Sequence, residues 1–378
     1  MPWKERTTMS LRREFVQCAL QDGINMSALC REFGISRKTG YKWLRRYQEG
    51  GWEALQDRSR RPHTSPNRTP AEIEAQVLAV RQEHPAWGGR KIHAYLRRQG
   101  LLHPPSPSTI TQILHRHGCI DPEEARKHRP FQRFQRGRPN ELWQMDFKSP
   151  IALADGTTCY PLTVLDDHSR FLIALYACAD QSHDTVQAQL IITFRKYGLP
   201  ESILIDNGTP WGSYQETRSY TFLEVWMMHL GMQVIHSRPY HPQTLGKDER
   251  LHRTLEAELL QGLTLANLQE CQTYFDRWRH MYNTERPHEA LGMDVPAAHY
   301  QPSPRPFPEV LPPILYPPHA IVRKVDVTGR ISFHGRTFRV GKAFRGQPVA
   351  LYPTEKEGVY EVYFCQQRVK TLCLQQPE

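Results

Sequence analysis

The 378-residue sequence lacks several features that would place it in a specialised class. It has no apolar run near the roughly 18 uninterrupted residues of a membrane span, and its N-terminus, MPWKERTTMSLRREF, has no signal-peptide core. Its eight cysteines are scattered without a CxxC pair, which argues against a disulfide framework and a structural zinc ribbon. No phosphate-cradling GxxxxGKS or GxxxxGKT segment occurs, which argues against a P-loop ATPase. These absences predict a soluble, cytoplasmic protein with no membrane partner.

Positive charge is concentrated in the N-terminal third of the chain. Residues 1–138 contain 26 Lys or Arg against 13 Asp or Glu, whereas residues 139–378 contain 23 against 26. Evenly spread charge would indicate little more than solubility. A localised basic region instead predicts a polyanionic partner, most simply double-stranded DNA.

Residues 1–57 have the pattern of a helix-turn-helix domain. Short apolar-periodic segments are separated by a turn glycine, Gly34, and Ser36 is placed to cap the helix that follows. That helix, residues 36–48, is the predicted recognition helix. A generic three-helix bundle with a solvated basic face is the alternative, and the concentration of charge on one helix favours DNA binding. The predicted DNA contacts are Arg37, Lys38, Lys42, Arg45 and Arg46.

The rest of the chain divides into six further segments by changes in composition and periodicity. Basic or proline-rich stretches separate a second helical block, a mixed α/β series, and a run of short strands with Gly and Pro turns. The segments are 58–70, a basic linker; 71–120, a second helical domain, either helix-turn-helix or winged, that binds DNA; 121–139, another basic linker; 140–300, the α/β core; 301–318, a Pro-rich linker; and 319–378, a small β-barrel.

Three carboxylates of the α/β segment stand at a strand centre, a strand end and a helix start, and for the last of them a salt-bridged helix surface is the structural alternative. Asp146 lies inside a predicted strand, and Asp206 ends another strand just before the turn residues Asn207 and Gly208. Glu249 lies near the start of a helix, about 200° from its leucine stripe. If the three converge, their charge could not persist unpaired and would be relieved by divalent cations. All-oxygen ligands favour Mg²⁺ or Mn²⁺.

Four stretches, in chain order, carry a family resemblance: WQMDF, IDNGTPW, HPQTLGKDER and YNTERPHEALG. They resemble the catalytic core of the DDE transposases of bacterial insertion sequences, within the retroviral-integrase superfamily. The core match runs over about residues 140–300, and the flanking helical and β modules are arranged as in that group. The resemblance implies a multidomain fold: all-α helix-turn-helix modules, an α/β RNase H-like core with a mixed sheet, and a small β-barrel.

The resemblance also implies a site and a reaction. The metal triad falls on Asp146, Asp206 and Glu249, with Asp146 bridging two Mg²⁺ or Mn²⁺ ions and the others holding one each. The implied activity is that of a polynucleotidyl transferase that binds terminal inverted repeats, cleaves DNA 3′ ends and joins them to target DNA. A homo-oligomer, dimer or tetramer, on the bacterial nucleoid is implied too. The implied active-site loop includes Asn207, Gly208, His241 and Gln243, and the implied DNA-contacting cations are Lys247, Arg250 and Arg253.

Several alternatives remain open at this point. Forty-two residues separate Asp206 from Glu249, more than is common in the superfamily, and Asp248 is a rival third ligand. Asp248 is disfavoured because the family glutamate immediately precedes an arginine. The run DDHS, residues 166–169, contains the ingredients of a hydrolase triad, but consecutive hairpin residues cannot face one another as a triad does. A nuclease without joining activity and a transposase-derived transcriptional regulator are the rival functions.

Overall fold

The computed structural model describes residues 7–58, 69–120, 135–206, 208, 211, 220–237 and 246–374. The chain forms two compact units, Met1–Arg68 and Thr69–Glu378. Among the described residues, no helix is both long enough and apolar enough to cross a bilayer.

The first unit is a helix-turn-helix, as predicted. Ser36 caps the third helix by accepting a hydrogen bond from the backbone N–H of Thr39 at 3.1 Å. The turn before it uses Gly34 at φ 64°, a conformation that favours glycine. Phe15 and other buried side chains form its core. The elements are α1 (Thr8–Ala19), α2 (Met26–Glu32), α3 (Arg37–Gly50) and a 3₁₀ turn (Trp52–Leu55).

The second unit begins with three helices, and Ser106 caps the last of them. The fully buried Trp87 stacks on His84 with ring centroids 3.8 Å apart, at the joint between the first two helices. Gly89 is required at the start of the second helix, because a Cβ there would lie 2.3 Å from the carbonyl oxygen of Pro107. The helices are α4 (Ala71–Glu83), α5 (Gly89–Arg98) and α6 (Pro107–Arg116).

A mixed sheet forms the centre of the second unit. The strands run in the order β4-β3-β1-β5-β6, and the short β2 pairs with the start of β3. The first four strands form an antiparallel meander, whereas β1, β5 and β6 are mutually parallel. This is the mixed sheet expected of an RNase H-like core. The strands are β1 (Leu142–Phe147), β2 (Ile151–Ala152), β3 (Thr158–Asp166), β4 (Leu172–Cys178), β5 (Ser202–Ile205) and β6 (Gln233–His236).

Helices cover both faces of this sheet. One face of β1, β3 and β5 joins α7 and α8 in a core that includes Trp143 and Phe194. The opposite face of β3 and β4 packs on α9 and α10 through Leu251, Leu255 and Phe275. The helices are α7 (His183–Tyr197), α8 (Phe222–His229), α9 (Gly246–Leu255), its continuation as a π-turn (Glu256–Leu260), and α10 (Leu268–Thr284); 3₁₀ turns follow at Glu289–Leu291 and Pro296–His299.

The prediction of a C-terminal β-barrel is wrong. In the described residues the six strands form two separate sheets, in the orders β12-β11-β10-β7 and β8-β9, and neither closes on itself. Strands β8 and β9 have four residues each and pair with one another as a hairpin, whereas β7, of the same length, joins the edge of the larger sheet. Both sheets share a core with α8 and β6. The strands are β7 (Ile321–Lys324), β8 (Arg330–Phe333), β9 (Arg336–Arg339), β10 (Pro348–Pro353), β11 (Val359–Phe364) and β12 (Gln367–Cys373), with a 3₁₀ turn at Lys342–Phe344.

Candidate active site

Parallel pairing of β1 and β5 brings Asp146 and Asp206 together. The last recorded pair is Gln144 with Leu204, and Asp146 and Asp206 each follow two residues later. The Asp206 charge is near enough to raise the pKa of Asp146. Neighbouring strands lie roughly 4.8 Å apart, and the carboxyl ends of parallel strands meet at one edge of the sheet. The two aspartates therefore stand side by side at that edge.

Glu249 joins this pair from the first turn of α9. The helix buries Leu251 and Leu255 against the sheet and leaves Glu249 and Arg253 exposed, as the helical periodicity predicts. Burial, then the neighbouring Asp206 and Glu249 carboxylates, raise the pKa of Asp146 to about 7, against an opposing hydrogen bond from the Phe147 N–H. The charges of Asp206 and Glu249 therefore both act on Asp146, and the convergence of the three acids on a metal ion stays a prediction.

This set of side chains fits a divalent cation. Its donors are all carboxylate oxygens, and their mutual repulsion is the condition that a bound cation relieves. Within the part of the chain that the structure describes, no three His, Cys, Asp or Glu side chains are already gathered at ligand spacing.

Asp248 lies on the other side of the same helical turn. Its side chain is fully buried, and among the described residues neither carboxylate oxygen has a hydrogen-bond partner. Burial, and then the nearby Asp146 and Asp167, raise its pKa well above the ordinary value. Asp248 thus points toward the interior on the face of Leu251, whereas Glu249 points outward.

Asp206 contacts a series of linked polar groups that were not predicted from the sequence. Its Oδ1 accepts a hydrogen bond from the Gly208 N–H at 3.0 Å, and the His236 ring lies 3.1 Å from its backbone oxygen. The other ring nitrogen of His236 lies 2.5 Å from Glu224, which forms a capping box with Thr221 at the start of α8. The Thr-x-x-Glu spacing could have indicated the capping box, but not its link to the site.

Asp146 has a comparable support across the sheet. Thr163 stands directly opposite it on β3 and donates its hydroxyl proton to the Asp146 backbone oxygen at 3.0 Å. The Thr163 hydroxyl in turn lies 2.9 Å from Nε2 of His252 on α9. Because the hydroxyl donates to the carbonyl, the imidazole Nε2–H donates to the hydroxyl. Helix α9 is therefore tied to the strand that carries Asp146.

We expect His252 to make the protein acid-sensitive. Burial, followed by the nearby Lys148, lowers the pKa of His252 to about 4, so the unfolded chain binds a proton between about pH 6.5 and pH 4 that the folded chain does not. Stability falls as pH falls through this window. The variant His252→Gln keeps a donor for Thr163 but has no titrating group. The acid-induced loss of unfolding free energy should therefore be smaller in the variant by roughly 1 to 3 kcal/mol.

The measurement is the thermal unfolding midpoint of parent and variant at pH 7 and pH 4.5. The exposed His280, on α10, supplies the matched control variant His280→Gln. Equal acid sensitivity of the parent and His252→Gln would refute the assignment to His252.

The cations next to Glu249 have different surroundings. The Lys247 amine pairs with the buried Asp167 carboxylate, and burial is the main cause that lowers its pKa to about 8. Arg250 is exposed and lies 3.8 Å from Glu289, and Arg253 is exposed. The structure thus gives Lys247 an internal partner, and DNA contact by all three residues stays a prediction.

The DDHS run forms the turn between β3 and β4, as interpreted from the sequence. Asp166 accepts hydrogen bonds from the backbone and hydroxyl of Ser169 and from the Asn140 N–H. Asp167 accepts from the Gln144 amide at 2.7 Å. These buried aspartates stabilise the turn and the start of β1.

In the first unit, four of the five predicted DNA contacts are exposed on α3: Arg37, Lys38, Lys42 and Arg45. The fifth, Arg46, is half-buried, with its guanidinium 4.9 Å from the ring centre of Trp43. Three loop residues from the prediction, Asn207, His241 and Gln243, lie outside the described residues.

Family models match this chain along most of its length. A helix-turn-helix domain matches residues 11–63 and a homeodomain-like domain residues 39–114. Two integrase core domain models match residues 136–242 and 230–296, and the C-terminal domain of the IS481 family transposases matches residues 320–377. The chain belongs to the integrase-like transposases of bacterial insertion sequences. These transposases are enzymes of the polynucleotidyl transferase type.

Two curated relatives of this transposase are insertion-element proteins. An uncharacterized 39.2 kDa protein of insertion element IS476 from Xanthomonas euvesicatoria is 27% identical over 62% of this chain and 66% of its own length. An uncharacterized 31.7 kDa protein of IS407 from Burkholderia multivorans is 24% identical over 60% of this chain and 79% of its own. Protein YlbG of Escherichia coli is 33% identical over 24% of this chain and 74% of its own.

Among solved structures, a chain of the simian T-cell lymphotropic virus intasome, in complex with a PP2A regulatory subunit, aligns with the transposase over 79% of this chain and 96% of its own. That alignment has 16% identity and a TM-score of 0.38. The HTLV-2 integrase catalytic core in complex with magnesium, in its trimeric form, aligns over 44% of this chain and 99% of its own, at 16% identity and a TM-score of 0.30.

Proposed function

We propose that this transposase binds the terminal inverted repeats of its insertion sequence, cleaves DNA at the 3′ ends, and transfers those ends into target DNA. The observation that carries the proposal is the register of β1 and β5, which sets Asp146 beside Asp206, with Glu249 close enough to raise the pKa of Asp146. The integrase core match over the same residues supports it.

We assign the metal-holding role to these three acids, Asp146, Asp206 and Glu249, which would hold two Mg²⁺ or Mn²⁺ ions per site. Two such ions, when bound, assist the attacking and the departing oxygen of an in-line phosphodiester displacement. The chain's own groups hold the ligands in place: the Gly208 N–H and His236 orient Asp206, and Thr163 holds the backbone of Asp146.

DNA binding is assigned first to the exposed cations of α3. We expect Arg45→Ala to weaken binding to terminal-repeat DNA by roughly tenfold, because a recognition-helix cation contacts a phosphate or a base edge. If the contact is to phosphate, the salt dependence of binding also becomes shallower. Titrations of labelled duplex at several salt concentrations measure both quantities.

Arg13 is the matched control, since it is an exposed arginine on α1 of the same unit. Arg13→Ala should leave the affinity within about twofold of the parent. Equal losses for the two variants would argue against α3 as the recognition helix.

The decisive experiment incubates the full chain with Mg²⁺ or Mn²⁺ and duplexes that carry the element's terminal repeats and target DNA. Joined products are the expected result. Nicked ends without joining would indicate a nuclease, and end binding without either reaction would indicate a regulator. Two ends must meet before joining, so we expect a dimer or tetramer on paired ends, which crosslinking would detect.

A further inference from the structure

Helix α5 is fastened to the helix that carries Glu249. Glu258 lies in the π-turn that continues α9, nine residues after Glu249, and its side chain is only 6% exposed. The carboxylate pairs with Lys91 of α5 at 3.6 Å and with Arg286 at 2.9 Å. Separating α5 from the core would leave the buried Glu258 charge without one of its two partners, which is energetically costly. This cost keeps α5 docked on the core.

Further contacts lie at the same junction between α5 and the core. Glu289 lies 3.3 Å from Arg90 of α5 and 3.8 Å from Arg250, the residue after Glu249. At the end of α5, Arg98 donates hydrogen bonds to the backbone oxygens of Glu285 and Met293 at 3.2 and 3.4 Å. The second helical module and the catalytic core accordingly belong to one compact unit.

Helix α6 presents a different kind of surface. It buries Ile110, Ile113 and Leu114 against the module's own core. Its exposed side carries a stripe of uncharged hydrogen-bonding residues at helical spacing, namely Ser108, Thr111, Gln112 and His115. Within the described residues, the Gln112 and His115 side chains make no hydrogen bond or ion pair with protein. An apolar face would suit a protein partner, and this stripe has no apolar side chain.

We propose that the α6 stripe reads base pairs of the terminal repeat, and that α5 docking fixes the distance from those base pairs to the phosphodiester that is cleaved. The proposal rests on the proposed transposase function. Duplex DNA is the occupant because residues 71–120 contain six Lys or Arg against three Asp or Glu, between two basic linkers. A glutamine amide can bond an adenine edge through two hydrogen bonds in the major groove. Helix α6 therefore supplies sequence preference, whereas the cations of α3 supply affinity.

The first test is a base-pair substitution scan of the terminal repeat, with binding measured for the full-length parent and for Gln112→Ala. We expect the variant to lose roughly tenfold discrimination at one or two adjacent base pairs, with unchanged salt dependence. Gln82→Ala is the matched control, because Gln82 is exposed on α4 of the same module. An unchanged preference at every base pair in Gln112→Ala, and equally in Ser108→Ala and His115→Ala, would overturn the assignment to α6.

The second test inserts ten base pairs, about one helical turn, between the base pairs that depend on Gln112 and the terminal cleavage position. We expect binding to persist and cleavage at the original terminus to fall below about a tenth of the parent rate, since the docked module cannot follow the displaced end. Cleavage at the original terminus at the parent rate would overturn the proposal that α5 docking fixes the distance between the base pairs and the cleaved phosphodiester. If the unmodified end is not cleaved either, the proposed transposase function fails instead, so the two failures are distinguishable.

Discussion

Strand transfer is expected to fall by roughly a thousandfold or more when Asp146 is replaced in the variant Asp146→Asn, because metal stabilisation of the reacting oxygens contributes several kcal/mol to the transition state. Asp206→Asn should behave alike, since the Asp206 charge is near enough to raise the pKa of Asp146. Binding to terminal-repeat duplex should stay within about twofold, because we assign the base and phosphate contacts mainly to the helical modules. The paired measurements are joined product per unit time and the Kd for labelled ends.

A folding defect is separable from the loss of chemistry. In metal-free protein the pKa of Asp146 is raised to about 7, first by burial and then by the neighbouring acids. The folded chain keeps the Asp146 proton up to about pH 7, whereas the unfolded chain releases it at about pH 4. The contribution of Asp146 to the free energy of unfolding is therefore fully present below about pH 4 and is lost as pH rises through about 7. Asp146→Asn should therefore unfold at pH 8, with chelator, at a temperature no lower than the parent.

Asp184→Asn serves as the control for this variant, because the Asp184 side chain is 97% exposed on α7. It should retain the parent rate. Joining by Asp146→Asn at more than about a tenth of the parent rate would remove Asp146 from the metal site.

The second large effect separates the two adjacent acids of α9. We expect Glu249→Gln to lose strand transfer by roughly a thousandfold, and Asp248→Asn to retain at least a tenth of it. Glu249 is exposed, and its charge helps to raise the pKa of Asp146, whereas Asp248 is fully buried on the side of Leu251. An uncharged amide of the same size suits that buried position, since burial opposes ionisation of the carboxyl.

Both variants are assayed with the same repeat duplexes in Mg²⁺ and in Mn²⁺. Unfolding midpoints show whether each variant is folded. The opposite pattern, with loss in folded Asp248→Asn and joining by Glu249→Gln, would move the third ligand to Asp248.

Much of the local structure follows from sequence patterns. The helices α4 and α5 lie within the segment 71–120 that was predicted to be helical, and Ser36 caps α3 as expected. Hydrophobic periodicity and capping residues act within one or two turns, so they can be read from neighbouring letters. The orientation of Glu249 and Leu251 on opposite sides of α9 follows from the same periodicity.

The C-terminal module shows that such local patterns do not predict how strands pair. Its six strands were recognisable from alternation and turn residues, but barrel closure depends on which strand edges pair. Alternation along one strand carries no information about its neighbour, so the two open sheets were not predictable.

The sequence by itself determined the local elements and the localised basic charge, and through the family resemblance it predicted the three acids of the candidate site. Tertiary structure decided which groups surround them: Asp167 beside Lys247, His236 behind Asp206, and Glu258 joining α5 to the catalytic helix. Lys91 and Glu258 are 167 residues apart, and such pairs meet only after the sheet order and helix packing have brought distant segments together. Local sequence encodes short-range periodicity, whereas burial and charge pairing at the site depend on the whole chain topology.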